Sequence, residues 1–70
     1  MEINLKDKIG FVAGDIWHLL KEKGELTLSK VVENIEAPQS VVYMGVGWLA
    51  REDKLIFKKK ARGYSIRLKE

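Results

Sequence analysis

WLAREDKLIFKKKARGYSIRLKE, residues 48–70, passes from the end of a helix into a strand, a basic turn and a second strand. Alternation carries the reading. Leu55 and Phe57, then Tyr64, Ile66 and Leu68, point to one face, and charged residues mostly point to the other. From Lys54 to Lys69 the chain also holds Lys58, Lys59, Lys60, Arg62 and Arg67, and no acidic residue. A cationic hairpin placed directly after a helix–turn–helix pattern is the wing of a winged helix.

Upstream, the helix–turn–helix can be read residue by residue. A third helix is predicted over about 38–52, with Pro38 in its first turn, where a missing N–H costs nothing. Glu36-Ala37-Pro38 breaks the preceding helix, predicted over about 30–35, which has Ser29 as N-cap and buries Val31, Val32 and Ile35. Glu25-Leu26-Thr27-Leu28 alternates like a strand and is short enough to add a third strand to the hairpin. Before it, Leu5, Ile9, Val12, Ala13, Ile16 and Leu20 form one apolar stripe at helical spacing. That first helix is predicted over about 6–23, closed by Gly24 as the residue beyond its C-cap, with Lys21 and Lys23 suiting the negative end of its dipole. Gly10 and Gly14 each weaken it by roughly 1 kcal/mol relative to alanine, and suggest close packing of another backbone. The fold class is α+β: a winged helix-turn-helix of three helices, a short strand (about 25–28) and a two-stranded wing (about 55–60 and 64–68), in a single domain spanning 1–70.

Seventy residues without a cysteine must be stabilised by burial alone. The 46% hydrophobic content is enough for a core, and the 33% charged content without low complexity argues against disorder. No apolar run is long enough to span a membrane, and MEINLKDKIG lacks the apolar core of a signal peptide. A cytoplasmic protein with no membrane partner is the expectation. Charge is unevenly placed: residues 1–53 carry a net of −3 and residues 54–70 a net of +6. Such asymmetry points to a polyanion-facing end. Lysines that keep the edges of a hairpin from aggregating would leave the same mark.

On the third helix, Val42, Gly45, Val46 and Leu49 fall on the core side, flanked by Val41 and Trp48. Ser40, Tyr43, Met44, Gly47 and Arg51 fall opposite. In the usual docking mode these would face the major groove. Arg51 is suited to guanine, Gln39 to adenine, Tyr43 to a phosphate and Met44 to a thymine methyl. That is a thin set of base readers, and Tyr43, Met44, Gly47 and Ala50 resemble a packing surface. Phe11 lies about 200° from Ile9 on the first helix, on the polar side. With Trp17 at the stripe's edge it suggests a homodimer interface, to which Met44 and Gly47 are added.

At Val46-Gly47-Trp48-Leu49-Ala50-Arg51-Glu52-Asp53-Lys54-Leu55 the chain resembles the central signature of a small stand-alone winged helix-turn-helix family, a domain of unknown function in bacteria and archaea. Gly14-Asp15-Ile16-Trp17 is similar to that family's opening segment. The resemblance covers nearly the whole chain. It implies a winged-helix fold and dimers, and brings no activity with it. The wider winged-helix class implies DNA binding, and includes members that bind only proteins.

Catalysis is not expected. His18 is the lone histidine, and with Asp15 and Glu22 at i−3 and i+4 it makes a weak metal set that reads as a solvated helix face. No phosphate-binding glycine loop occurs. No cofactor or metal is expected. The leading expectation is a DNA-binding winged helix, regulator-like and dimeric. Double-stranded DNA would be held at phosphates by Lys58, Lys59, Lys60 and Arg62, with Gln39, Ser40, Tyr43 and Arg51 near the groove. The alternative is a protein-interaction winged helix that uses the Phe11 side or the uncharged third-helix face.

Overall fold

The computed structural model describes residues 4–69. Residues 1–3 and Glu70, which enter the charge count and the leader-peptide expectation, lie outside the described residues. Along the chain run α1 (Leu5–Lys23), β1 (Leu26–Thr27), α2 (Leu28–Asn34), α3 (Gln39–Arg51), β2 (Leu55–Lys60) and β3 (Gly63–Leu68). The three strands form one antiparallel sheet in the order β1-β3-β2. This is the α+β winged helix-turn-helix expected, with boundaries displaced by one or two residues. No helix among the described residues is long and apolar enough to cross a membrane.

Local signals account for each boundary. Asn4 starts α1, its side-chain oxygen accepting from the Asp7 N–H, and Gly24 ends it by donating its N–H to the Leu20 carbonyl. For α2 the predicted cap is displaced: the cap is Thr27, whose hydroxyl accepts from the Lys30 N–H, and not Ser29. The reason is that β1 pairs through Leu26 and Thr27 only, which frees Leu28 to open the helix. Pro38 stands one position earlier than expected, as the N-cap of α3, and its carbonyl accepts from Val41 and Val42.

The end of α3 is a Schellman motif. Asp53 takes a left-handed conformation (φ 58°), its N–H bonds the Ala50 carbonyl, and the Lys54 N–H bonds the Leu49 carbonyl. The Asp53 carboxylate then pairs with Lys69 Nζ at 2.6 Å, while the Lys69 N–H bonds the Lys54 carbonyl. Both ends of the hairpin are thereby fastened to the last turn of α3.

Val12, Ala13, Ile16 and Leu20 of α1 pack with Val31, Ile35, Val41, Val42, Val46 and Leu49, and with Leu55, Ile66 and Leu68 from the sheet. Val32, expected in this core, is only half-buried. The close helix approach lies at Gly45. A Cβ there would meet Ile16 Cδ1 at 3.0 Å, Val12 Cγ1 at 3.2 Å and the Ala13 nitrogen at 3.3 Å. Gly10 and Gly14, which the sequence suggested for that role, face open space with nothing within 4 Å of a Cβ. They sit beside the buried stripe, not under α3.

Candidate nucleic-acid interface

The sheet is built in two parts. Its base is three strands wide, because β1 lies beside Ser65 and Ile66. Beyond those residues β2 and β3 continue as a two-stranded ribbon, with Lys59 opposite Tyr64 and Lys60 opposite Gly63. Neither Ala61 nor Arg62 in the turn has positive φ, and Gly63 supplies the left-handed residue (φ 94°) that lets the strands leave in register.

Pairing sorts the cations of the wing. At its base Lys54 lies 3.5 Å from Glu52, and Lys69 is held by Asp53. Lys60, predicted to contact phosphate, is drawn 3.5 Å from Glu25 Oε2. The same carboxylate oxygen accepts a 2.8 Å hydrogen bond from Ser65, a side chain left only 1% exposed. The Ser65 hydrogen bond is the largest influence holding Glu25 below the ordinary glutamate value of 4.5. The charges of Lys60 and Lys58 act in the same direction, against partial desolvation.

Lys58, Lys59, Arg62 and Arg67 remain without a carboxylate partner among the described residues. Lys59 lies over the Tyr64 ring, 5.0 Å from its centroid. Arg67, not singled out in the sequence, stands opposite Ile56 on the same strand face as Lys58. The sequence supplied the cations but not the sorting, because the three carboxylates that pair lie upstream of the hairpin.

The candidates on α3 do not gather at one place. Gln39, Ser40 and Tyr43 share its exposed first turns, and Gln39 Nε2 donates to Tyr43 Oη at 2.9 Å. Arg51 is twelve residues further on, about 18 Å along the axis at 1.5 Å per residue. Base contacts in this docking mode come mainly from the N-terminal part of the helix, so the sole guanidinium of α3 is at the distant end.

Of the proposed interface residues, Phe11 and Trp17 border neighbouring hollows that share Gly10 and Trp48. Phe11 is 77% exposed, and with Gly10 and Trp48 it borders a shallow hollow. The hollow adjoins a groove of about 260 Å³ between α1 and α3, lined by Gly10, Gly14, Trp17, His18 and Trp48. Met44 is 42% exposed and lies about 40° from Trp48 around α3; Gly47 is exposed on the same helix. His18 is engaged locally: its Nδ1 donates to the Gly14 carbonyl at 2.8 Å, and its ring meets Trp17 edge-on. Among the described residues no three His, Cys, Asp or Glu side chains are gathered to hold a metal ion.

Two further residues escaped the sequence reading. Phe57 and Tyr64 alternate onto the core face of the hairpin as predicted, yet each is 46% exposed. Alternation gives the face; it does not give how far the core extends beneath it.

A family model described as "Winged helix-turn-helix domain (DUF2582)" matches residues 4–68. An uncharacterized protein of Methanocaldococcus jannaschii is 43% identical over 65 residues, covering 89% of this chain and 91% of the relative.

Proposed function

The chain belongs to this winged helix-turn-helix family, and from that premise we propose that it is a DNA-binding domain, regulator-like and cytoplasmic, which grips duplex phosphates with its wing. The observation that carries the reading is the set of cations without an ion pair to a carboxylate among the described residues: Lys58, Lys59 and Arg62 along the hairpin and Arg67 at its base. Winged-helix domains are typically binding modules and not enzymes. Phosphate contacts supply the affinity here, and α3 supplies little base readout. With four phosphates engaged, log K falls with log salt at a slope of about −3 to −4. Titration of random duplex DNA across a salt series tests this. Binding absent at low salt, or unchanged by Lys58→Gln with Arg62→Gln, refutes it.

A second reading has its own support in the α1/α3 groove, where Trp17 and Trp48 lie beside Gly10 and Gly14, and in the adjoining hollow bordered by Phe11. In this reading the groove holds a second copy of the chain or another protein, and the domain works by association. Met44→Asp separates the two. Loss of a dimer in sedimentation with DNA binding intact favours association; loss of DNA binding with the oligomeric state intact counts against it.

A further inference from the structure

Phe57 and Tyr64 stand on adjacent strands of the wing, on the same face, as diagonal neighbours across the β2–β3 ladder. Diagonal neighbours of this kind lie roughly 7–8 Å apart, within reach of one another's rings. Both are half-exposed; on that face Lys59 lies opposite Tyr64 and the buried Ile66 lies opposite Phe57. Arg62 occupies the turn just beyond. Two adjacent rings bordered by cations that lack a carboxylate partner among the described residues form a surface with a specific chemical complement, since aromatic faces attract flat π-systems and the cations attract phosphates.

The complement is further limited by what a nucleic acid exposes. A continuous duplex offers base edges in its grooves and hides base faces in the stack. Base faces become available only in single strands, at unpaired positions and at frayed ends. A sheet face carrying aromatic residues that stack neighbouring bases is the arrangement used by β-sheet RNA-binding modules. Here the rings lie on the broad face of a ribbon, and the α3 surface is poor in edge-reading side chains. Lys59 over Tyr64 does not block the site. An exposed cation–π contact is weaker than base–aromatic stacking, and the ammonium is free to move to a phosphate.

We propose that the wing face formed by Phe57, Tyr64 and Lys59 is a stacking platform for unpaired bases, so that the preferred ligand is a nucleic acid carrying single-stranded nucleotides. The inference rests on the reading of the wing as the nucleic-acid contact and specifies the class of ligand it takes. DNA and RNA single strands share the chemistry that the platform recognises.

The test is fluorescence anisotropy of the full chain with labelled oligothymidylate and oligouridylate of about twelve nucleotides. A random duplex of equal length, with and without a single-stranded overhang, completes the set. The platform predicts tighter binding of the single strands and of the overhang than of the blunt duplex. Tyr64→Ala and Phe57→Ala each weaken single-strand binding by roughly fivefold to a hundredfold and leave blunt-duplex binding within about twofold. Phe57→Leu keeps an apolar side chain without a π face and guards against loss of folding, checked by circular dichroism; it weakens single-strand binding nearly as much as Phe57→Ala. Tighter binding of one single strand assigns the source as DNA or RNA. Equal or stronger binding of the blunt duplex, or single-strand affinity unchanged in Phe57→Leu and Tyr64→Ala, overturns the platform while leaving a phosphate-binding wing. No binding to any of the four ligands overturns the platform and the DNA-binding reading together. A changed sedimentation coefficient in Phe57→Leu with nucleic-acid binding intact also overturns the proposal, and marks the face as protein-covered.

Discussion

Gly45→Ala adds one methyl at the place where α3 crosses α1, and the structure gives both sides of the balance. In favour of the variant, alanine in a helix interior is worth about 1 kcal/mol over glycine. Against it, the new carbon would lie 3.0 Å from Ile16 Cδ1, 3.2 Å from Val12 Cγ1 and 3.3 Å from the Ala13 backbone nitrogen. None of the three can retreat easily. Ile16 is fully buried, Val12 is buried beside it, and the nitrogen belongs to the helix backbone. Relief therefore requires α3 to back away from α1 as a body, loosening the packing of Val42, Val46 and Leu49 with it. Inserting a methyl into a packed core costs typically 1–3 kcal/mol, so the net loss is about 0–2 kcal/mol. In a domain of this size that lowers Tm by up to roughly 15 °C. Urea and thermal unfolding followed by circular dichroism measure it. Gly47→Ala is the matched control: its methyl would enter open space, so propensity alone acts and stability rises by up to about 1 kcal/mol. A Gly45→Ala variant as stable as Gly47→Ala would refute the assignment of the helix crossing to Gly45.

Thr27→Ala removes the hydroxyl that accepts from Lys30, and α2 loses about 0.5–2 kcal/mol of capping, whereas Ser29→Ala has little effect; urea midpoints compare them. The folded-state pKa of Glu25 lies below its unfolded value, so its contribution to stability is present above about pH 4.5 and is lost as pH falls through the lowered value. Glu25→Gln accordingly narrows the gap between urea midpoints at neutral and acid pH. In the DNA salt series Lys60→Gln flattens the slope less than Lys58→Gln, because Lys60 begins in a pair with Glu25.

Much of this fold can be read from local rules, because local rules determine it. The hairpin announces itself in the period-2 alternation of Leu55, Phe57, Tyr64, Ile66 and Leu68, and α1 in the spacing of Val12, Ile16 and Leu20. The misplacements have a common cause in tertiary contact. Thr27 and Ser29 are both competent caps, and which one is used depends on how many residues β3 takes into the sheet. Gly10, Gly14 and Gly45 are alike as letters, and only the crossing of α1 and α3 singles out one of them. The candidate site was legible as a set of cations. Which of them are neutralised depends on Glu25, Glu52 and Asp53, brought to the hairpin by the fold.

The joint at Asp53 has a mechanical meaning. One residue closes the last turn of α3 through its backbone and grips the outgoing chain at the base of the hairpin through its carboxylate. The Lys69–Lys54 backbone bond shuts the hairpin at the same point. Helix and wing therefore act as the two arms of a caliper whose opening is set at its hinge. A partner that touched both arms would meet them across the span this joint sets, and the exposed Asp53–Lys69 pair, weak as such pairs are, is the first contact to give if the span must change.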